Sequence, residues 1–233
     1  MSQDIRNYFK VTNSNTCGML FKKTKMLKND YEITTDSKNS NIIEAQPKKD
    51  ITVEAFTDGS TIGNGGSNPK GGIGVYFPGN FNLNNVSLNF DDFKKENSEY
   101  VSQKATNNIT ELLAISIAIQ LITNRFKQTY PCRQLEELRI ILYTDSEYSI
   151  NCITKWAVGW ERNGWQKKTG KKTDREIKNL DLIKKLYKAY TTQRIKFVHV
   201  NSHTREPRNK SSVEWRIWYG NEMADKLART AAK

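Results

Sequence analysis

The chain is poor in cysteine, short of acid and without a long hydrophobic run. Its 233 residues include three cysteines, Cys17, Cys132 and Cys152. An odd number without metal-ligand spacing excludes a disulfide-stapled scaffold and a cysteine metal site, and reads as reduced thiols. No apolar h-region opens the N-terminus, and no uninterrupted apolar run reaches the length that a bilayer requires. The expectation is a soluble intracellular protein of the nucleus or cytoplasm, with no membrane partner. Acids number 25 against 37 Lys and Arg, giving a net charge of +12 and a pI of about 9.5. Such a balance implies a polyanionic partner. Ten of the basic residues fall within 161–190 against four acids, which marks either a nucleic-acid patch or a solvated basic helix.

What is present divides the chain in two. Residues 1–50 are rich in Asn, Lys, Ser and Thr with no sustained hydrophobic period, the composition of a flexible polar tail. Patterned sequence begins at 51, and one domain over 51–233 is expected. I-T-V-E-A-F-T at 51–57 and G-G-I-G-V-Y-F at 71–77 read as strands, joined by a loop holding Gly63, Gly65, Gly66 and Pro69; V-S-L-N-F at 86–90 reads as a third. The run 109–122 is apolar on most faces and long enough for a buried helix, whereas L-R-I-I-L-Y-T at 138–144 suits a strand covered on both faces. Helices at 146–160 and 177–190, a strand at 195–200 and a closing helix from about 221 complete an α/β or α+β domain with a mixed sheet.

Four acids stand in distinctive contexts: Asp58 in F-T-D-G-S, Glu111 in T-N-N-I-T-E, Asp145 in Y-T-D-S and Asp225 in G-N-E-M-A-D. Asp58 and Asp145 end β-forming runs; Glu111 and Asp225 sit in helical segments. A folded sheet could gather all four at one point, where they would repel one another unless a divalent cation neutralised them. The pattern points to a magnesium site for phosphoryl transfer.

In their order and flanking residues these motifs closely resemble ribonuclease H, type 1, over roughly 51–231. The resemblance implies an α/β fold with a five-stranded mixed sheet flanked by helices. It also implies a magnesium-dependent endoribonuclease that hydrolyses the RNA strand of RNA–DNA hybrids through two metal ions, leaving 5′-phosphate and 3′-hydroxyl ends. Manganese is expected to substitute for magnesium. By similarity Asp58 would bridge both ions, Asp145 and Glu111 would bind one, and Asp225 would help to hold the other. His203, past the 195–200 strand, matches the family's mobile-loop histidine, although Ser202 precedes it where the family commonly has Gly; His199 reads as a sheet residue. Asn64, Asn107 and Asn108 match RNA-contacting positions. Lys104, Thr106 and Asn179 match a phosphate pocket for the DNA strand, and Tyr148 and Trp156 match an aromatic wall for deoxyribose, with Trp160 assigned to packing.

The resemblance also marks 154–181 as a basic protrusion and 204–220 as an unusually long loop. Arg205, Arg208, Lys210, Trp215, Arg216, Trp218 and Tyr219 within that loop either add a nucleic-acid surface or fold their own tryptophans onto the domain; the arginines are read as nucleic-acid contacts, and Trp215 and Trp218 as packing onto the domain. Glu147 is a further departure, an acid where the family is often uncharged. In the tail, Ile5, Tyr8 and Phe9 fall at i, i+3 and i+4 and resemble a sliding-clamp-binding box, with Ser2 in the glutamine position. The catalytic chain is expected to be a monomer. The alternative is a non-catalytic hybrid-binding or clamp-tethered module, whose mark would be a missing carboxylate; all four are present.

Overall fold

A computed structural model describes residues 50–79, 81–167, 176–202 and 204–233. Most of the polar tail, including Ile5, Tyr8 and Phe9, lies outside the described residues, as does the middle of the basic protrusion.

Five strands form one mixed sheet in the order β3-β2-β1-β4-β5: β1 (Ile51–Ile62), β2 (Lys70–Tyr76), β3 (Val86–Asn89), β4 (Leu138–Thr144) and β5 (Arg194–His199). The first three strands pair antiparallel, and β1–β4 and β4–β5 are parallel. The mixed five-stranded sheet flanked by helices is as the sequence implies. Central position explains the sequence of β1 and β4. β4 is covered on both faces and reads as a nearly continuous apolar run, whereas β1 alternates at its start, with Thr52 exposed and Glu54 partly buried, and is buried throughout only from Ala55 to Gly59.

One face of the sheet carries α2 (Asn107–Thr129), whose Ile109, Leu112, Leu113, Ile115, Ile122 and Phe126 are fully buried. At 23 residues α2 is long and apolar enough to cross a bilayer by composition alone, but 67% of its most apolar window is buried inside the fold. It is a core helix, extended at both ends beyond 109–122. The opposite face carries α6 (Val213–Ala231). Beneath it lies a smaller core of Phe56, Tyr143, Val200 and Ala224. At the β3 end, α1 (Phe90–Glu96) begins where the third strand was expected to finish, because the Asn89 side chain accepts from the Asp91 amide and caps it.

The helical region after β4 is broken into α3 (Glu147–Asn151), a π-helical turn (Cys152–Trp156) and α4 (Ala157–Arg162). Then α5 (Leu180–Thr192) leads into β5. Trp165, in the left-handed region at φ 61, packs against Tyr187 of α5 with ring centroids 6.0 Å apart, and Lys184 lies over its ring at 5.3 Å.

One expectation is corrected. The stretch 204–220 is irregular only to Ser212, whose hydroxyl accepts from the Trp215 amide and starts α6 eight residues before the predicted 221. Trp215, Trp218 and Tyr219 are therefore helical. The indole of Trp215 donates to Glu206 at 3.0 Å, that of Trp218 to the Thr204 carbonyl at 3.0 Å, and Trp215 stacks on Tyr219 at 4.9 Å. The tryptophans thus fold the segment onto its own helix. Arg216, expected to contact nucleic acid, turns instead to Glu54 on β1. Arg205 and Arg208 remain exposed.

Candidate active site

The four carboxylates meet because strand register and glycine spacing bring their elements together. Phe56 pairs with Tyr143 in the parallel β1–β4 ladder, so Asp58 and Asp145, each two residues further on, sit side by side where the strands diverge. Asp145 is followed by Ser146, which caps α3 by accepting from the Ser149 amide. Its backbone is braced from the other side: the Asp145 carbonyl accepts from His199 Nε2 at 3.2 Å, a contact that requires the proton on that nitrogen.

Glu111 arrives from α2. A Cβ on Gly59 would strike the Glu111 backbone nitrogen and Thr110, so only glycine lets the helix rest directly on the strand beside Asp58. Asp225 arrives from the opposite face. Gly74 pairs with Asp58 in the β1–β2 ladder, and a Cβ there would strike the backbone of Ala224. The helix therefore touches β2 where its next residue, Asp225, reaches Asp58. Asp225 also pairs with Arg229 one turn later at 2.6 Å.

Burial and mutual repulsion dominate the electrostatics. Asp58 is buried, and its carboxyl is pushed up from 3.8 to about 8, first by desolvation and then by Asp145 and Asp225. Glu111 is raised to about 7, again mainly by desolvation, although hydrogen bonds from Ser146 and Ser149 act against the rise. Ser146 donates to Glu111 at 2.5 Å and joins it to Ser149 at 2.8 Å. The second letter of D-S in Y-T-D-S was the signal for this clamp, and its role was not read from the sequence. Among the described residues no three His, Cys, Asp or Glu side chains close tightly enough to cage an ion. The donor set nevertheless fits a hard divalent cation: it is all oxygen, strongly anionic and mutually destabilised.

Beside the carboxylates runs a groove of about 1170 Å³. Asn64, Lys104, Thr106, Asn107, Asn108 and Asn179 all line it. Two helix N-termini open onto it, α2 through Thr106 to Asn108 and α5 through Asn179. Unpaired amides and helix dipoles there favour anions. Thr106 caps α2 by accepting from the Ile109 amide at 3.3 Å, which leaves its hydroxyl proton free to donate. Asn179 occupies the left-handed region at φ 58 and spends no side-chain bond on capping. Tyr148 and Trp156 lie together outside the groove lining, ring centroids 6.0 Å apart, with Trp160 5.8 Å from Trp156. The Tyr148 hydroxyl engages the side chains of Cys152 and Asn108, and burial raises its pKa. Glu147 is exposed in the first turn of α3, its carboxylate toward Asn151 at 3.5 Å. His203 lies outside the described residues.

The RNase H family model matches residues 49–233. The chain belongs to the ribonuclease H family. It is 38% identical over 171 residues to a probable ribonuclease H of Acanthamoeba polyphaga mimivirus, covering 73% of this chain but only 62% of that relative. A ribonuclease H of Novosphingobium aromaticivorans is 33% identical over 180 residues, covering 77% of this chain and 96% of the relative. Among solved structures, LC9-RNase H1, described as a type 1 RNase H with the type 2 active-site motif, superposes with a TM-score of 0.50 at 23% identity, over 81% of this chain and 74% of that one. This last likeness bears on the ribonuclease H fold alone.

Proposed function

We propose that this ribonuclease H is a type 1 enzyme that hydrolyses the RNA strand of RNA–DNA hybrids and leaves 5′-phosphate and 3′-hydroxyl ends. The observation that carries the reading is the convergence of Asp58, Glu111, Asp145 and Asp225 from four separate parts of the fold. Two magnesium ions, replaceable by manganese, would be held by these carboxylates and would activate water and neutralise charge developing on the phosphate oxygens.

The protein's own residues do the rest. Asp58 is buried and Glu111 half-buried, so together they would shield one side of the reacting phosphate from solvent, and Ser146 fixes the orientation of the Glu111 carboxylate. Lys104, Thr106 and Asn179 are spaced across the groove to take phosphates of the DNA strand through charge and hydrogen bonds, without reading sequence. Asn64, Asn107 and Asn108 both donate and accept, as recognition of 2′-hydroxyls requires. Tyr148 and Trp156 offer flat apolar faces on which a deoxyribose packs and a 2′-hydroxyl would clash. His203, one residue before the pinned Thr204, would move a proton during product release.

The test is incubation of end-labelled RNA–DNA hybrid, duplex DNA and duplex RNA with the protein, with and without magnesium. Cleavage of the hybrid alone, with magnesium alone, is the expected result. Tight hybrid binding without cleavage under every cation would favour the non-catalytic module.

A further inference from the structure

Helix α6 meets the sheet along a stripe with little directional character. Gly220 closes on the Phe56 ring, Ala224 on Gly74 and Ala228 on Gly72, and a Cβ at any of the three glycines would strike the other side. Small apolar surfaces allow this close approach, but they make no directional bond that holds the helix there.

One turn before the stripe the contact becomes polar. The Arg216 guanidinium donates to Glu54 Oε2 at 2.5 Å, and the Tyr143 hydroxyl donates to the other Glu54 oxygen at 2.9 Å. The guanidinium also lies 5.9 Å from the centroid of the Tyr143 ring, which stacks on Phe56 at 4.5 Å. Glu54 therefore joins α6 and β4 through separate oxygens. The spacing is matched. Arg216, Gly220 and Ala224 recur every four residues, about 6 Å of helix; Glu54, Phe56 and Asp58 recur every two, about 6.6 Å of strand. The two series stay in step, Arg216 on Glu54, Gly220 on Phe56, and Ala224 on Gly74, the ladder partner of Asp58, so that the next residue, Asp225, comes beside Asp58.

We propose that Glu54 and Arg216 form a register latch: they are positioning residues that fix where α6 lies along β1 and so hold the Asp225 carboxylate against Asp58. Glu54 and Arg216 are only partly buried, so the pair adds little net stability, and fixing register is the better-attested use of such pairs. A slip of one residue would move Asp225 about 1.5 Å along the axis and about 100° around it, which would take it out of the cluster. The consequence for cleavage rests on the proposed role of the carboxylates; the latch itself does not.

Glu54→Gln keeps the shape and the acceptor for Tyr143 but removes the charge. In the full-length variant, magnesium affinity measured by calorimetry is expected to fall about tenfold, in the range of lost outer-shell partners of metal ligands. The rate at saturating hybrid should fall comparably with KM unchanged, and the nuclear Overhauser contact between the Ala224 methyl and the Gly74 α-protons should weaken. Arg216→Met should behave alike, and Arg216→Lys should restore most of the loss. Wild-type magnesium affinity with an undisturbed Ala224–Gly74 contact in folded Glu54→Gln would overturn the latch, as would a lower melting temperature with both unchanged. If the wild type binds no magnesium, the nuclease reading fails, while the Ala224–Gly74 contact still decides the latch.

Discussion

The backbone of Glu111 rests directly on Gly59, the residue after Asp58, with no room for a side chain between them. This contact turns two motifs that lie more than fifty residues apart in the sequence into one site. It also explains why D-G-S carries glycine at its centre.

Gly59→Ala is accordingly expected to be severe. A methyl group there forces α2 away from β1 against rigid backbone, a cost of about 1–3 kcal/mol or more by analogy with overpacked cores. Chemical denaturation should report the lost stability. Hybrid cleavage should fall further than stability accounts for, because Glu111 is displaced from Asp58. Near-normal cleavage would mean that the Glu111 carboxylate is not needed where it lies.

Asp145→Asn should abolish cleavage while leaving hybrid affinity within a few-fold. The groove residues that would take the substrate, among them Lys104, Thr106 and Asn179, do not depend on that carboxylate. Binding measured by fluorescence anisotropy with rates measured in parallel separates the two effects. Equal losses of binding and rate would indicate a folding defect.

The raised carboxyls give a stability prediction with a definite sign. Asp58 titrates near 3.8 when exposed and at about 8 in the fold, so between these values the folded state holds more protons than the unfolded one. Stability of the cation-free protein is then greatest below the lower value and falls as pH rises through the higher. Glu111 acts in the same direction between 4.5 and about 7. Asp58→Asn removes the burden and should raise the melting temperature of cation-free protein at pH 7.5, on the order of 5 °C, with little change at pH 4. Magnesium should raise the wild-type melting temperature and leave that of the variant nearly unchanged.

Much of the site was legible because the motifs carry their own contexts. Glu111 and Asp225 are helical and Asp145 follows the end of β4, as expected, whereas Asp58 lies inside β1, which runs on to Ile62 because its pairing with β2 continues past the acid; the six groove residues from Asn64 to Asn179 line one cavity. What was not legible depended on partners distant in sequence. Ser146 gains its role only when Glu111 arrives from α2, and His199 only when β5 lies beside β4. The start of α6 was misplaced because its early turns are aromatic and basic rather than amphipathic in a simple way. Ser212 supplied the cap signal, but the partners that make those turns worthwhile, Glu206, Thr204 and Glu54, come from other segments. Arg216 was read as a nucleic-acid contact because a sequence cannot show that an acid on β1 will face it.

The groove predicts a particular salt response. Lys104→Ala and Asn179→Ala should each raise KM for hybrid with little change in the saturated rate. The lysine variant should also flatten the dependence of log KM on log salt by about 0.9 per phosphate contact removed. Asn179→Ala should leave that slope nearly unchanged, because an amide releases no counterion. Identical slopes for wild type and Lys104→Ala would place this lysine away from the DNA strand.

Residues 1–48 are expected to be dispensable for cleavage. The family match begins at 49, Lys49–Lys233 form one compact unit, and every proposed catalytic and groove residue lies within it. A chain beginning at Lys49 should fold and cut naked hybrid at nearly the full rate. If Ile5, Tyr8 and Phe9 anchor a sliding clamp, Tyr8→Ala with Phe9→Ala should spare cleavage in solution but remove clamp binding, since a few aromatic anchors carry most of the energy of so short a motif. Calorimetric titration of a peptide spanning residues 1–15 against the cognate clamp measures this directly. Absence of binding at tens of micromolar peptide would dismiss the clamp reading, and a shortened chain that folds but no longer cuts would show that the segment takes part in catalysis.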